Sequence, residues 1–216
     1  MKEIIMSETK KPNITPTTNG PYLVKSLKNF ANQKGPIETK ETMALCRCGG
    51  SDNKPFCDGT HAKNGFSSAK LEGRVEDKRE NIVGERITIH DNRGICAHAG
   101  RCTDGLSAVF RLNEEPWIHP DAATKDEIIA TINKCPSGAL SYSVDEVEHR
   151  NREGEPTIFI APNGPYIVSG GPELNDTTRG EGASKEHFTM CRCGGSKNKP
   201  FCDGTHWYNK FTDEKN

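Results

Sequence analysis

A segment of sixteen residues occurs twice in this chain of 216 residues, and the two copies differ at one position. The first copy, CRCGGSDNKPFCDGTH, runs from Cys46 to His61, and the second, CRCGGSKNKPFCDGTH, runs from Cys191 to His206. Each copy contains three cysteines and one histidine at the same spacing. Three thiolates and one imidazole form a complete ligand set for one closed metal site. The repeat therefore predicts a chain that folds around two metal sites of the same kind.

The residues between these ligands suit a tight loop around a metal centre. In the first copy, Gly49–Gly50 lets the backbone turn closely, and Pro55 fixes φ shortly before the third cysteine. Asp58–Gly59 predicts a tight turn. His61 follows Cys57 by four residues, a spacing that predicts both ligands on one face of a short helix. The second copy repeats all of these residues.

Both copies match the pattern C-x-C-x2-(S/T)-x3-P-x-C-D-G-(S/A/T)-H at every specified position. They resemble the CDGSH iron–sulfur domain of the mitoNEET-like family, in which three cysteines and one histidine hold a [2Fe–2S] cluster. The resemblance implies two such clusters. The ligands would be Cys46, Cys48, Cys57 and His61 in the first copy, and Cys191, Cys193, Cys202 and His206 in the second. Thiolates also suit zinc, so ligand chemistry alone leaves zinc open, while the whole motif favours the cluster.

The chain has nine cysteines, and the three outside the repeat indicate a third site. They are Cys96, Cys102 and Cys135, the last of which precedes a proline. Bacterial ferredoxins use C-x2-C-x2-C and a distant C-P, and Ala99 stands here in place of the middle cysteine. Residues 82–145 thus resemble a divergent, single-cluster ferredoxin domain of the 4Fe–4S type.

The resemblance implies a cluster on these three cysteines. It would be a [3Fe–4S] cluster, or a [4Fe–4S] cluster whose fourth iron has another ligand. His98 and Asp104 lie nearby in the sequence, but neither stands at the matching position, and neither is assigned as the ligand. The alternative is a unit that keeps the fold without a cluster, in which the three thiols are small buried side chains.

Local patterns predict secondary structure in all three regions. Asn-Gly turns precede strands that start at Tyr22 and Tyr166, and residues 157–160 (TIFI) predict a partner strand in the second copy. In the middle region, residues 86–90 and 139–144 read as strands. Thr124, followed three residues later by a glutamate, predicts a capped helix that ends before Pro136.

The predicted fold class is α+β, small and multidomain, with two β-rich CDGSH-type [2Fe–2S] units around a ferredoxin-like α+β unit. The predicted boundaries are a flexible terminus at 1–12, the first CDGSH-type domain at 13–67, a linker at 68–81, the ferredoxin-like domain at 82–145, a linker at 146–156 and the second CDGSH-type domain at 157–216.

Composition limits how such a chain is stabilised. Hydrophobic residues are 32% and aromatic residues 6% of the chain, and the mean hydropathy is −0.75. We therefore expect three small units, each held mainly by its metal centre rather than by a large apolar core. The net charge is −1 and no basic block is present, which argues against a nucleic-acid partner.

The chain also has no apolar run of 18 residues, so we expect no membrane-spanning helix. Its N-terminus does not resemble a signal peptide, which predicts a reducing, cytoplasmic location.

The predicted function is electron transfer by an iron–sulfur protein, and not enzymatic catalysis. A donor of iron–sulfur clusters to apo acceptor proteins, or a redox or pH sensor, is one alternative, and a zinc-stapled interaction module is another. The redox partner is not identifiable from the sequence. The two CDGSH-type units of mitoNEET-like proteins pack through their strands, so the resemblance implies an intramolecular pseudo-dimer of the two copies.

Overall fold

The structure is a computed structural model that describes residues 11–175 and 177–216. The predicted flexible terminus therefore lies outside the described residues except for Lys11 and Pro12.

The strands are β1 (Asn13–Pro16), β2 (Tyr22–Lys25), β3 (Asn29–Asn32), β4 (Gly35–Pro36), β5 (Thr42–Leu45), β6 (Glu80–Val83), β7 (Thr88–Asp91), β8 (Leu140–Val144), β9 (Val147–His149), β10 (Thr157–Ile160), β11 (Tyr166–Ser169), β12 (Glu173–Leu174) and β13 (Phe188–Met190). The helices are α1 (Arg101–Gly105), α2 (Lys125–Ile132) and α3 (Thr205–Tyr208), and two 3-10 turns cover Thr60–Ala62 and Arg93–Ile95.

The two outer regions form two sheets, each of which contains a strand from both copies. One sheet has the order β12-β1-β2-β5, and the other has the order β13-β11-β10-β3-β4. β1 pairs in parallel with β12, with Ile14 opposite Leu174. β3 pairs in parallel with β10, with Phe30 opposite Ile158. Each copy therefore extends the sheet of the other, since β12 of the second copy joins the strands of the first and β3 of the first copy joins the strands of the second.

The Asn-Gly segments form the predicted turns. Asn19 and Asn163 have φ values of 48° and 47°, a left-handed conformation that asparagine tolerates better than most residues. Each turn joins an antiparallel pair, β1 to β2 in the first copy and β10 to β11 in the second. The prediction of a TIFI strand and of strands after the two turns is confirmed.

Alternating burial directs one face of each outer sheet inward. A single apolar core combines residues of both copies, among them Ile14, Phe30, Ile158 and Met190, each at most 2% exposed. The two copies therefore share one apolar core instead of forming two separate ones, and the expected dependence on the metal centres stays a prediction. The apolar residues of two small units are pooled, and a pooled core buries a larger share of its surface than two separate ones.

The middle region forms a third sheet, β6-β7-β8-β9, with its own core. Helix α2 packs on this sheet through Ile128 and Ile132, and the predicted capping box is present, because Thr124 accepts a hydrogen bond from the backbone of Glu127 while the Glu127 carboxylate accepts one from Thr124. The predicted strands at 86–90 and 139–144 correspond to β7 and β8.

The fold is thus α+β, β-rich and made of small units, as predicted. No helix within residues 11–175 and 177–216 combines the length and apolar character needed to cross a bilayer.

Candidate metal centres

The first repeated segment is a loop that begins where β5 ends. Cys46 N donates a hydrogen bond to Pro55 O at 2.7 Å, and Cys57 N donates one to Ala44 O at 2.8 Å. These two bonds fold the loop back along β5 and bring the third cysteine beside the first. The second copy has the same bonds, from Cys191 N to Pro200 O and from Cys202 N to Thr189 O, at 2.8 and 3.1 Å.

The four predicted ligands of each copy lie in two pairs. In the first copy, Cys46 Sγ lies 3.9 Å from Cys48 Sγ, and Cys57 Sγ lies 3.3 Å from His61 Nδ1. The corresponding distances in the second copy are 3.9 and 3.4 Å. Two thiolates bound tetrahedrally to one metal at about 2.3 Å lie about 3.8 Å apart. Each pair therefore has the spacing of two ligands on a single metal atom.

The two pairs of one copy do not form a single compact group in the part of the chain that the structure describes. Among the described residues, no three His, Cys, Asp or Glu side chains are grouped so that they could hold a single ion. A mononuclear zinc site would gather all four ligands around one point. Two separate pairs instead suit a centre with two metal atoms, one for each pair.

A turn, rather than a helix, brings Cys57 to His61. The 3-10 turn begins at Thr60, after Gly59 with φ +88°, so Cys57 lies outside it, and the predicted helical face is wrong. Asp58 organises this turn, because its carboxylate accepts bonds from the Thr60 hydroxyl at 2.7 Å and from Asp52 N at 2.9 Å. The hydrogen bonds from Thr60 hold the pKa of Asp58 well below its usual range.

Backbone amides near the ligands favour thiolates. Gly50 N lies 3.4 Å from Cys48 Sγ, and Gly59 N lies 3.4 Å from Cys57 Sγ. The hydrogen bond between the first two cysteines lowers the pKa of Cys48 and raises the pKa of the more buried Cys46. A metal that binds this pair must displace the remaining proton, so binding should release acid.

Two tyrosines join the copies at their ligand loops. Tyr22 Oη donates to the carbonyls of Cys191 and Pro200, both at 2.9 Å. Tyr166 Oη contacts Cys46 O and Pro55 O at 3.0 and 3.1 Å. Each tyrosine thus holds the loop of the opposite copy. The repeated Gly-Pro-Tyr segments were visible in the sequence, but they indicated strands and not this contact.

The middle cysteines surround a cavity. Cys96, Cys102 and Cys135 line a space of about 260 Å³, the volume of roughly nine waters. Burial raises the pKa of Cys96 to about 12, and burial also raises the pKa of Cys102. Three thiols around a space this large fit a polynuclear cluster better than a single ion.

Ala99, His98 and Asp104 also line this cavity, together with the buried carboxylate of Asp91. Burial raises the pKa of Asp91 to about 7, although the Arg93 guanidinium opposes the shift. The sequence reasoning missed Asp91, since a single aspartate at the end of a strand gives no local signal.

Comparisons with known proteins agree with this arrangement. The family described as "Iron-binding zinc finger CDGSH type" matches residues 19–62 and 163–207. The family described as "Divergent 4Fe-4S mono-cluster" matches residues 82–145.

An Escherichia coli K12 protein described as "Uncharacterized protein YjdI" is 42% identical over 60 residues, which make up 28% of this chain and 79% of that protein. The protein of the same description from Escherichia coli O157:H7 gives the same values. No solved structure gives a significant match. The chain therefore belongs to the iron-binding CDGSH-type family and carries two domains of that type on either side of a divergent 4Fe–4S mono-cluster domain.

Proposed function

We propose that this iron–sulfur protein is an electron carrier with one [2Fe–2S] cluster in each CDGSH-type domain and one [3Fe–4S] or [4Fe–4S] cluster in the middle domain. The observation that carries the proposal is the division of each outer ligand set into a Cys–Cys pair and a Cys–His pair. Two pairs match two irons. The ligands we propose are Cys46, Cys48, Cys57 and His61, then Cys191, Cys193, Cys202 and His206, and in the middle domain Cys96, Cys102 and Cys135.

A bound cluster would supply a centre that gains and loses single electrons. The protein's own groups set how readily that happens. A neutral imidazole in place of a thiolate leaves less negative charge at each outer centre, which favours reduction. Amide groups at Gly50, Gly59 and Gly195 point at ligand sulfurs and stabilise negative charge there. Both effects support a carrier that accepts electrons readily.

The two outer loops touch, which supports the proposal of an intramolecular pseudo-dimer. A β-carbon added to Gly49 would lie 2.7 Å from Cys193 O, and one added to Gly194 would lie 2.4 Å from Cys48 O. This backbone contact supports a short separation between the two outer ligand sets. Short separation is what exchange of electrons between two centres requires.

Iron and acid-labile sulfide per chain, measured on anaerobically purified protein with electron paramagnetic resonance, test the proposal. We expect about four irons from the outer domains and three or four from the middle domain. The protein should then cycle reversibly between oxidised and reduced states without loss of iron. Zinc in place of iron would contradict the proposal and favour an interaction module.

Donation of clusters is a second candidate function, favoured by the partial exposure of Cys48, Cys57 and His61 in the first domain. Mixing the loaded protein with an apo ferredoxin separates the two functions. Rapid appearance of the cluster in the acceptor indicates donation. Retention of the cluster by this protein during redox cycling indicates electron transfer.

We also propose a cytoplasmic location and a protein redox partner. None of the nine cysteines, all of which lie in the described residues, forms a disulfide bond, as expected in a reducing compartment. Fractionation of cells that produce the protein tests the location, and recovery outside the cytoplasmic fraction would contradict it.

A further inference from the structure

The two repeated segments have nearly the same sequence but different surroundings. Gly59 and Gly204 both have positive φ, +88° and +81°, so their backbones are alike. A β-carbon added to Gly59 would meet no heavy atom within 4 Å. A β-carbon added to Gly204 would lie 2.9 Å from Cβ and Cδ2 of His98. The second ligand loop is thus packed against a residue of the middle domain, and the first is not.

The residue that follows the ligand histidine also differs. It is Ala62 in the first copy and Trp207 in the second. Trp207 Nε1 donates a hydrogen bond to His98 O at 3.1 Å. The indole ring also lies beside the His206 ring, with centroids 5.1 Å apart. Trp207 and His98 are therefore bonded to each other, and both lie against the second ligand loop.

The ligands of the two copies also differ in exposure. His206 is 6% exposed and Cys202 is 3% exposed, whereas His61 and Cys57 are both partly exposed. Trp207 and His206 line a cleft of about 820 Å³ between the middle and second CDGSH-type domains, where the indole, 63% exposed, lies between the His206 ring and solvent on one side. The first copy has only an exposed methyl group at this place.

His98 belongs to the middle ligand loop. Its backbone N lies 3.4 Å from Cys96 Sγ, and it has φ +52°, so the loop turns sharply where it meets the second copy. The cover over the second site is therefore part of a neighbouring metal-binding loop and is held in place by it.

We propose that His98 and Trp207 cover the second CDGSH-type site, so that exchange of a bound cluster with a thiol-bearing acceptor protein is confined to the first site. This inference rests on the proposed function, because it assumes that both sites hold clusters. The exchange is a ligand substitution that begins at the partly exposed Cys57 and His61 and ends when four acceptor thiolates have replaced Cys46, Cys48, Cys57 and His61. Three protons of the acceptor thiols pass to the three released cysteines and the fourth passes to His61 or solvent, and no electron is transferred.

Loss of iron to a chelator from the full-length, loaded protein tests the cover. Cys57→Ser leaves only the second outer site and Cys202→Ser leaves only the first, so the signal of the reduced [2Fe–2S] cluster in electron paramagnetic resonance reports one site at a time. Iron and sulfide content before the chelator is added tests the proposed function separately. Absence of iron would refute that function, whereas equal loss rates from two loaded sites would refute the cover alone.

Trp207→Ala should speed loss from the second site about tenfold, the effect of one hydrogen bond and its packing. Trp207→Phe keeps an aromatic ring but removes the donor and part of the indole, so it should give a smaller increase and serves where the alanine variant does not fold. Ala62→Trp is the matched control, and it should leave the first site unchanged because no counterpart of His98 lies there. Unchanged rates in both Trp207 variants would overturn the proposal.

The paired glycines give an independent test. Gly204→Ala and Gly59→Ala impose the same strain at positive φ, but only the first displaces His98. We expect faster loss from the second site in Gly204→Ala than from the first site in Gly59→Ala, each relative to its own parent. Equal acceleration in the two variants would mean that backbone strain, and not the cover, controls exchange.

Discussion

The outer and middle domains of this protein position their proposed ligands in different ways. In the outer pair, each sulfur or nitrogen lies 3.3–3.9 Å from its partner ligand. In the middle domain, three thiols line a cavity, and the position of a fourth ligand is occupied by Ala99. The difference shows that a long motif encodes the support of a metal site along with its ligands. A pattern of three cysteines fixes less of the site.

Removal of a ligand should give the largest effect. We expect Cys57→Ser to lose about two irons per chain and Cys102→Ser to lose three or four. Iron analysis and circular dichroism on the same samples measure both. Because the outer sheets share an apolar core, Cys57→Ser should keep its strand signal. Asp52→Lys, which makes the two copies identical, is the control and should keep all of its iron. Equal iron loss in the two serine variants would contradict the proposal that the middle cluster holds more irons than an outer cluster.

Completion of the cysteine motif should change the cluster that the middle domain binds. Ala99→Cys restores the spacing C-x2-C-x2-C, and we expect a [4Fe–4S] cluster with about four irons in that domain. The signal of an oxidised [3Fe–4S] centre, if present in the parent protein, should disappear. Electron paramagnetic resonance of the oxidised protein measures this. An unchanged spectrum and iron count would mean that the parent site already has a fourth ligand.

Replacement of the histidine ligand should affect only the outer pair. His61→Cys adds a negative charge to the first centre, so its reduction potential should fall by on the order of 100 mV or more. A redox titration followed by electron paramagnetic resonance measures the shift. The middle centre is the internal control and should keep its potential. A shift of similar size at the middle centre would indicate a global change instead.

His187 of the second outer domain lies beside Gly138 of the middle domain, and its titration should make stability depend on pH. Burial, with the charges of Arg152 and Arg179, lowers the pKa of His187 to about 3. The unfolded chain binds a proton below about pH 6.5 while the folded chain does not, so stability should fall as pH drops. The expected loss is about 2 kcal/mol between pH 7 and pH 5.

Urea unfolding of the loaded protein at both pH values measures this loss. His187→Gln should reduce the difference between pH 7 and pH 5. The same pH dependence in parent and variant would assign it to other groups.

The smallest expected effect comes from the loss of a contact between the two copies. Tyr22→Phe removes the donor that two carbonyls of the second ligand loop share, and it should cost about 1 kcal/mol of unfolding free energy. Tyr208→Phe is the control, since this ring is 84% exposed and should be neutral. Urea unfolding measures both. Equal stability of the two variants would show that the loop carbonyls find other partners.

Local patterns predicted what local chemistry determines. The Asn-Gly turns, the capped helix at Thr124 and the turn at Asp58 all depend on side chains that act on nearby backbone. The exchange of strands was inferred only by resemblance, because β1 and β12 pair residues that are far apart in sequence. β6 and β9 lie in charged segments whose alternation is weak, so nothing local separates them from linkers. The cover at His98 likewise depends on a contact between domains.

The shared core has a consequence for how this protein can vary. In a homodimer of identical domains, every substitution occurs twice and symmetry imposes the same neighbours on both sites. Here two corresponding positions, Ala62 and Trp207, belong to one chain and already differ. Fusion of the two halves into one polypeptide therefore allows one half to acquire a new contact while the other keeps its original surface. The two halves can specialise without ever separating.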